Sequence, residues 1–510
     1  MASQPPKTTI TIHHSLHSSI TLAPYLTVPI LITAFLFLAL LILKQKLHCR
    51  CEICHAYTTM SWSKEFANLC DWYTHLLRKS PTRTLHVHAL GNIITADPKN
   101  VEHILKTRFD NYPKGKPFSS ILGDLLGKGI FNVDGDVWMF QKKMASHELG
   151  RVSLRSYCFE VVSHEIDERL SPLVSSMAAG GGVLDLQKVF RRFSFDTICR
   201  FSFGMDPTCL ESSHSMNEFA ASFDLATRLS AERAMHTSPL VWKTKRLLNI
   251  GSEKRLHDAI KVIDSMAQEI IVQKHKLGLL GQQDLLSHFM LVVQDDTYLR
   301  DIVVSFILAG RDSVASALSS FFFLLASHPE VEDAIAKEAD SVVGKDQNHL
   351  KTFDQIKDLP YLQATVYESM RLFPPIQFDS KFCLHDDVLP DGTQVTKGAR
   401  VTYHPYAMGR MEEIWGEDSL EFRPERWLRD GLFHQESPFK YPVFQAGPRV
   451  CLGKEMALVE IKTVAFWFIR HYSVKLAASD GSPVPKFSPG LTATFRDGLQ
   501  VLVTPKKRAS

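Results

Sequence analysis

Apolar residues recur along most of the chain at intervals of three and four positions, the spacing that places side chains on one face of a helix. Residues 100–107, 255–276 and 330–343 show this period, and Ser327 and Pro329 are start signals before the last of them. Since no internal repeat interrupts the pattern, it predicts a single, mostly helical body.

Stretches with the two-residue period of a strand are fewer and shorter. Residues 84–96 and 499–504 predict strands, and the polar stretch 390–393 predicts a turn. The glycine-rich or proline-rich stretches 178–183 and 480–490 predict loops. Together the two patterns predict a mainly α fold of the α+β class with a small β region.

One stretch near the N-terminus is apolar without any period. Residues 22–43 contain no charge, and as a helix they would span roughly 33 Å, enough to cross the hydrocarbon core of a membrane. Lys44, Lys46 and Arg50 follow it, whereas only Lys7 precedes it, so the positive-inside rule places the larger part of the chain in the cytosol. The predicted organisation is a lumenal tail (1–21), a transmembrane anchor (22–43), a membrane-proximal linker (44–60) and one folded domain (61–510).

Composition and charge narrow the function classes. The 510 residues are 45% hydrophobic and 22% charged, which is typical of a globular protein. A net charge of +3 and the lack of an arginine-rich block give no indication of nucleic-acid binding, and the basic stretch 243–246 is interpreted as a solvated helix face. Nine scattered cysteines indicate a reducing compartment rather than a disulfide scaffold.

The segment CEICH, residues 51–55, is a first candidate for chemistry. Two cysteines two positions apart and followed by histidine form the pattern that attaches c-type haem covalently. Cys51, Cys54 and His55 therefore support one hypothesis, a membrane-tethered c-type haem electron carrier. Against it, covalent attachment needs an oxidising compartment, and the predicted anchor places this segment at the cytosolic face.

A second candidate lies near the other end, where Cys451 precedes a long amphipathic run. At a helix N-terminus the dipole and the free N–H groups favour thiolate over thiol. Gly447 and Gly453 permit a tight loop, Arg449 adds a positive charge and Phe444 an apolar wall. Thiolate is one axial ligand of haem iron, so these residues indicate a metal ligand. A structural cysteine is the alternative.

These five residues together match F-x-x-G-x-R-x-C-x-G, the haem-thiolate signature of the cytochrome P450 family. From about residue 60 to its end, the chain resembles that family. The resemblance implies the cytochrome P450 fold, with haem b held through Cys451 as the metal ligand.

Two further motifs follow the family's order. Glu368 and Arg371 lie three apart on a predicted helix and resemble the E-x-x-R pair, and Arg426 resembles the arginine that completes a buried charge triad with them. Upstream, a long apolar helix is predicted from Asp301 to Ser327. Its polar interruption at Gly310, Asp312 and Ser313 resembles the family's A-G-x-D/E-T segment. The resemblance implies a helix opened at the glycine, with Asp312 and Ser313 as catalytic residues that relay protons. Serine stands where threonine is usual.

The resemblance also implies side chains around the haem propionates. Arg449 is one cation, and Trp138 with Lys142 matches the family's W-x-x-x-R helix, with lysine in place of arginine. Lys381 matches a basic residue that follows the E-x-x-R helix. Lysine is a point charge rather than a fork, so single bonds are expected from Lys142 and Lys381. The alternative for both is a surface charge.

Longer matches place the chain near one branch of the family. Segments such as NVEHILKTRFDNYPKGKPFSSILGDLLGKGIFNVDGD and YAMGRMEEIWG resemble plant fatty-acid ω-hydroxylases, most of all the subfamily that oxidises jasmonoyl-isoleucine at its ω carbon. This implies an NADPH- and O2-dependent monooxygenase of the endoplasmic reticulum membrane, monomeric, supplied with electrons by NADPH–cytochrome P450 reductase. Lys454 and Lys462 are expected on the docking face for that reductase.

An apolar substrate that carries a carboxylate is expected from this branch. Lys114 and Lys116 are candidates for the carboxylate, or else surface lysines. Other hypotheses are a fatty-acid ω-hydroxylase, a haem-thiolate enzyme that rearranges hydroperoxides without a reductase, and a haem-binding sensor. Retention of Asp312 and Ser313 argues against rearrangement. The expected substrate contacts are Phe118, Leu122, Leu125, Leu126, Phe306, Ala309, Ile376, Phe378, Leu491 and Thr492.

Overall fold

The computed structural model describes residues 29–38, 49, 51–150, 152–211, 214–278, 284–345, 347, 349–477 and 484–506. The α-helices within these ranges are α1 (Pro29–Leu38), α2 (Glu52–Thr59), α3 (Leu69–Lys79), α4 (Pro98–Glu102), α5 (Gly115–Leu126), α6 (Gly135–Leu149), α7 (Val152–Glu165), α8 (Ser171–Ala179), α9 (Leu186–Phe203), α10 (His214–Met235), α11 (Pro239–Leu247), α12 (Gly251–Leu277), α13 (Leu285–Met290), α14 (Asp296–Ile307), α15 (Ser313–Leu325), α16 (Pro329–Val343), α17 (Phe353–Lys357), α18 (Pro360–Leu372), α19 (Pro405–Met408), α20 (Glu412–Trp415) and α21 (Lys454–His471).

Shorter turns of tighter or wider helix join these elements. The π-helical turns are His103–Thr107, Ile166–Leu170 and Leu308–Asp312, and the 3-10 turns are Ser61–Lys64, His88–Leu90, Phe109–Asn111, Cys209–Glu211, Pro424–Trp427, Pro442–Phe444 and Gly447–Arg449.

The strands are short and gather in two main sheets. They are β1 (Thr84–Val87), β2 (Asn92–Thr95), β3 (Val183–Asp185), β4 (Asp379–Phe382), β5 (Asp387–Val388), β6 (Gln394–Val395), β7 (Arg400–Tyr403), β8 (Leu428–Arg429), β9 (Leu432–Phe433), β10 (Tyr472–Leu476), β11 (Phe487–Ser488), β12 (Thr494–Phe495) and β13 (Gln500–Pro505). One sheet has the order β1-β2-β7-β4, in which only β2 and β7 run parallel, and the other has the antiparallel order β10-β13-β3. Three two-stranded ribbons join β5 with β6, β8 with β9, and β11 with β12.

The mainly α prediction is confirmed. The helical periods at 100–107, 255–276 and 330–343 fall on helices, and the expected strands at 84–96 are β1 and β2. Of the expected loop at 480–490 the structure describes residues 484–490, and within them Phe487 and Ser488 form β11 and pair with Phe495 and Thr494.

The helix α14, the π turn after it and α15 form one continuous helix, Asp296–Leu325. It begins earlier than the expected Asp301, because the Asp295 carboxylate accepts a hydrogen bond of 2.9 Å from the Thr297 N–H and caps the helix there. The helix is long and apolar enough to cross a membrane, but 78% of its apolar stretch is buried inside the protein. It is therefore the central helix of the core.

Near the start of the chain, the helices in the structure do not follow the expected bounds of the anchor and the linker. The helix α1 lies within the predicted anchor and exposes its apolar side chains, while residues 22–28 and 39–43 lie outside the described part of the chain. Residues 52–59, expected as linker, instead form α2, which buries Cys54 and Tyr57. The Tyr57 hydroxyl donates to the Met235 carbonyl at 2.8 Å, so the folded domain begins before residue 61.

Candidate functional site

The loop before α21 holds Cys451 in a fixed position. The Cys451 N–H donates a 2.8 Å hydrogen bond to the Phe444 carbonyl, which closes the loop. Gly447 adopts a φ of +63°, and a Cβ atom there would stand 2.1 Å from the Leu105 carbonyl oxygen. Only glycine satisfies both the backbone angle and this close approach. At Gly453 no neighbouring atom lies within 4 Å of such a Cβ, so space is open beside Cys451.

The environment of the Cys451 thiol allows the sulfur to act as a metal ligand. Its side chain is exposed, yet desolvation by the surrounding protein raises the pKa of the thiol. The backbone N–H groups of Gly453 and Lys454, at the start of α21, oppose that rise and favour the thiolate. The predicted loop and helix N-terminus are present.

The central helix opens where the sequence pattern was interrupted. Leu308–Asp312 forms a π turn, and the Ser313 hydroxyl donates to the Ala309 carbonyl at 2.5 Å. A Cβ on Gly310 would stand 2.4 Å from the Ile198 side chain, so glycine lets α9 pack against the turn. The polar interruption thus coincides with a local change in the helix, as the expectation of an opened helix at Gly310 requires.

Asp312 is buried and belongs to a chain of charges. Its carboxylate accepts from Arg311 at 2.6 Å, and Arg311 also donates to Asp224 at 2.8 Å. Burial raises the pKa of the Asp312 carboxyl, and Arg311 partly offsets the rise. The Arg191 guanidinium donates to Asp224 and to the Thr494 hydroxyl, at 2.9 and 2.8 Å. Sequence reasoning missed Asp224 and Arg191, which lie far from Asp312 along the chain.

A cleft of about 360 Å³ reaches this chain of charges from the surface. Two of the expected substrate contacts, Leu491 and Thr492, line it together with Asp312. Arg228 on α10 also lines it, and its exposed side chain makes one loose ionic contact, 3.9 Å from Glu232. The cleft is therefore lined mostly by polar side chains, and it combines buried Asp312, the apolar side chains of Leu225 and Leu491, and the accessible cation Arg228.

Cations gather around Trp138. The Arg449 guanidinium lies 4.5 Å from the centre of the Trp138 ring and donates to Asp134 at 2.7 Å. Lys142 lies 5.3 Å from the same ring centre and donates to the Pro448 carbonyl at 2.5 Å. Since burial lowers the pKa of Arg449, an anion beside it would be favourable. The structure brings these three expected residues together on one side of the Cys451 loop.

Lys381 lies inside the protein rather than at a surface. Its Nζ atom is 3.0 Å from Asp379, which also pairs with Lys114 at 2.6 Å and accepts from the Tyr403 hydroxyl at 2.9 Å. Burial lowers the pKa of Lys381 to about 7. Burial alone would raise the pKa of Asp379, but Lys114 and Lys381 outweigh it and hold that pKa well below its usual range.

Asp379 was missed, although the pattern DSKF contains a signal. Residues two apart in a strand point to the same face, so Asp379 and Lys381 were bound to be neighbours. The surface alternative for Lys114 is wrong, because its ammonium group pairs with buried Asp379. Lys116 is exposed.

The expected substrate contacts divide between two apolar clusters. Leu122, Leu125 and Leu126 are buried in one cluster, and Phe118, Phe306, Leu491 and Leu452, the neighbour of Cys451, pack against it. Phe378 packs against the other cluster instead. Ala309 and Ile376 are half-buried. One cluster thus joins α5, the central helix, the Cys451 loop and the loop between β11 and β12 (residues 489–493, the 491 loop).

The expected charge triad is assembled in the core. Arg371 donates to both carboxylate oxygens of Glu368 at 2.8 Å, and both side chains are fully buried. Arg426 approaches the same carboxylate at 3.3 Å. The Trp427 indole N–H and the Arg423 backbone N–H donate to it as well, at 2.8 and 2.9 Å. Every carboxylate oxygen is therefore satisfied.

One of the two lysines expected on the docking face is corrected by burial. Lys462, expected on a docking face, is buried and donates to the Ile356 carbonyl at 2.6 Å and to Gln363 at 3.1 Å. Its helix is buried almost all round between Leu458 and Ile469, which leaves no outward face. Lys454 is half-buried and donates to Gln435 at 2.8 Å.

The c-type haem hypothesis does not fit the structure. Cys54 is only 2% exposed, so a bulky group cannot be attached to its sulfur without displacing the core. His55 is exposed. By contrast, the accessible thiol of Cys451, the space beside Gly453 and the cations at Trp138 fit a haem with a thiolate ligand.

Comparison with known proteins agrees with this assignment. The cytochrome P450 family model matches residues 59–501, and the chain belongs to this family. It is therefore a haem-thiolate monooxygenase that receives its electrons from a redox partner.

Particular relatives place it more narrowly. The chain is 58% identical to cytochrome P450 94C1 of Arabidopsis thaliana, over 92% of this chain and 96% of the relative. It is 44% identical to cytochrome P450 94B1 of the same plant, over 87% and 89%. Cytochrome P450 94A1 of Vicia sativa is 40% identical, over 87% and 88%.

Proposed function

We propose that this monooxygenase hydroxylates the ω carbon of jasmonoyl-isoleucine or of its 12-hydroxy form, with continued oxidation to the carboxylate. The observation that carries the proposal is the cleft at Asp312, in which Leu225 and Leu491 offer apolar surface among polar residues and Arg228 offers an accessible cation. An apolar chain that ends in a carboxylate needs this combination. The alternative, ω-hydroxylation of medium- or long-chain fatty acids, uses the same chemistry on a longer chain.

The residues have separate roles in this proposal. When bound, the haem supplies the iron at which O2 is activated for insertion of one oxygen atom into a C–H bond. Cys451 would ligate the iron, and Arg449, Lys142 and Lys381 would neutralise the propionates. Ser313 holds a hydroxyl proton on the Ala309 carbonyl and would deliver it to the reacting atoms. Asp312 would resupply that proton from the cleft.

The proposed setting is the cytosolic face of the endoplasmic reticulum. Uncharged residues 22–43 would form the single transmembrane anchor, and the exposed apolar side chains of α1 support this. NADPH–cytochrome P450 reductase would be the electron donor, with Lys454 in the docking face.

The substrate is tested with microsomes that contain the full chain and reductase. Jasmonoyl-isoleucine, its 12-hydroxy form and lauric acid are supplied separately, and products are measured by mass spectrometry with and without NADPH. We expect NADPH-dependent turnover with kcat/KM at least about tenfold higher for the jasmonoyl conjugates, a difference of about 1.4 kcal/mol. A wide margin in favour of lauric acid would make the chain a fatty-acid ω-hydroxylase, and turnover without NADPH would indicate a rearranging enzyme.

The carboxylate contact is assigned to Arg228. Replacing it with glutamine removes an accessible positive charge from the cleft, and KM for jasmonoyl-isoleucine is expected to rise about tenfold, because one charge-assisted hydrogen bond is lost. The methyl ester of the same conjugate lacks the carboxylate charge. Its KM is expected to stay unchanged in steady-state assays of Arg228→Gln.

The matched control is Arg255→Gln. Arg255 is an exposed arginine on α12 that does not line the cleft, so its substitution tests a general charge effect. An equal rise of KM in both variants, or for acid and ester alike, would contradict the assignment of Arg228.

A further inference from the structure

Three cysteines converge where the folded domain begins. In the stretch CRCEIC, Cys49, Cys51 and Cys54 stand within six positions of one another. Their sulfur atoms all lie within 4.8 Å of one another, and within the described ranges no other group of three or more histidine, cysteine or acidic side chains meets in this way. The monooxygenase site makes no use of them.

The three thiols have different settings. Cys54 is buried in α2 and accepts a 3.2 Å hydrogen bond from the Ala89 N–H, which fixes it to the folded domain. Cys51 is exposed and directly precedes the first residue of α2, where the helix dipole favours negative charge. Cys49 is half-buried and lies upstream of the helix. One sulfur is therefore anchored and two are accessible from outside.

We propose that Cys49, Cys51 and Cys54 bind one soft d10 cation, Zn²⁺ or Cu⁺. Thiolates are preferred ligands of both ions. A tetrahedral zinc site with bonds of about 2.3 Å places its sulfur atoms roughly 3.8 Å apart. The distance between any two of the three sulfur atoms therefore needs to shorten by no more than about 1 Å. Binding replaces the thiol protons with the metal and releases them to solvent, with no change of oxidation state. A water molecule or an external thiolate completes a four-coordinate zinc ion.

Such an ion would tie the incoming chain to the domain. Cys49 lies on the side of the predicted anchor, whereas Cys54 is held through Ala89 at the turn between β1 and β2. The metal would join the two and fix the direction in which the chain enters α2. This gives the CEICH segment a role that is independent of the haem at Cys451.

The test uses the full-length, untagged, haem-loaded protein purified in detergent with a thiol reductant. One sample is dialysed against Zn²⁺ and another anaerobically against Cu⁺, and both are then returned to metal-free buffer. Metal is counted by plasma mass spectrometry relative to haem iron. We expect about one equivalent of Zn or Cu per iron, and the arm that retains its metal identifies the ion.

The test variant is Cys49→Ser with Cys51→Ser, which leaves buried Cys54 in place. We expect it to retain at least about tenfold less metal, because even outer partners of a metal site cost 10- to 100-fold in affinity when lost. Bound metal should also slow alkylation of Cys49 and Cys51 by iodoacetamide, and a chelator should restore the rate. The control, Cys70→Ser, changes a cysteine that donates to Gln377 outside the cluster and should retain the metal.

Three results would overturn the proposal. The first is that neither arm retains metal. The second is that the double variant retains as much metal as the wild-type chain, which would mean an adventitious ion only. The third is a chain two hydrogens lighter than its sequence, with Cys51 and Cys54 joined in a disulfide. An intact carbon monoxide spectrum in the double variant ensures that metal loss does not reflect loss of the fold.

Discussion

Replacing Cys451 with serine is expected to abolish turnover and to remove the red-shifted Soret band that the reduced protein shows with carbon monoxide. That band requires a thiolate ligand on the haem iron, and the serine hydroxyl cannot supply one at neutral pH. Activity should fall by at least about 100-fold, since even changes around a metal ligand cost 10- to 100-fold. The carbon monoxide spectrum and an NADPH-dependent assay, each per mole of folded chain, measure the two effects.

The matched control is Cys158→Ser. Cys158 is a buried thiol on α7 whose sulfur lies 3.9 Å from the Met456 carbonyl, so it touches the same helix α21 without facing the site. Burial holds the pKa of its thiol well above the usual range, and the group stays neutral. We expect this variant to keep the band. A Cys451→Ser protein with an unchanged spectrum would refute the assignment of the ligand.

Local motifs in the sequence were sufficient to predict much of this site. The residues around Cys451 and the polar break at Gly310 lie within short segments whose own chemistry requires a tight loop or an opened helix. Both appear in the structure with contacts that explain them, namely the Leu105 carbonyl against Gly447 and Ile198 against Gly310. The early start of the central helix was not predicted, because it depends on a single polar residue, the cap Asp295, and the spacing of apolar residues gives no information about that position.

Contacts between distant segments could not be predicted in the same way. Lys114 and Asp379 are 265 positions apart, and nothing near either residue indicates that they pair. The burial of Lys462 likewise depends on the elements that enclose α21. The nearly continuous apolar residues around Lys462 in the sequence were nevertheless a signal of a buried helix. Arg228 lines the cleft only because α10 lies across it from the 491 loop, and the sequence near Arg228 does not indicate this.

Replacing Glu368 with glutamine is expected to lower the free energy of unfolding by about 3–5 kcal/mol, the cost of breaking a fully buried ion pair. The Arg371 guanidinium would lose its carboxylate partner and would be left with carbonyl acceptors, including that of Ser419 at 2.6 Å. The new amide would also present N–H groups to donors that need an acceptor, among them the Trp427 indole. Urea unfolding followed by circular dichroism measures the loss.

The control is an ion pair of the same spacing at the surface. Lys357 and Asp354 are three positions apart and 2.6 Å from each other, but their side chains are 61% and 80% exposed. Asp354→Asn should cost less than about 1 kcal/mol, because solvent screens the pair. Arg426→Lys should fall between the two variants, since Arg426 is partly accessible and retains Asp418 as a second partner at 2.9 Å. If Glu368→Gln unfolded no more easily than Asp354→Asn, the triad would not stabilise this fold, and its burial would need another explanation.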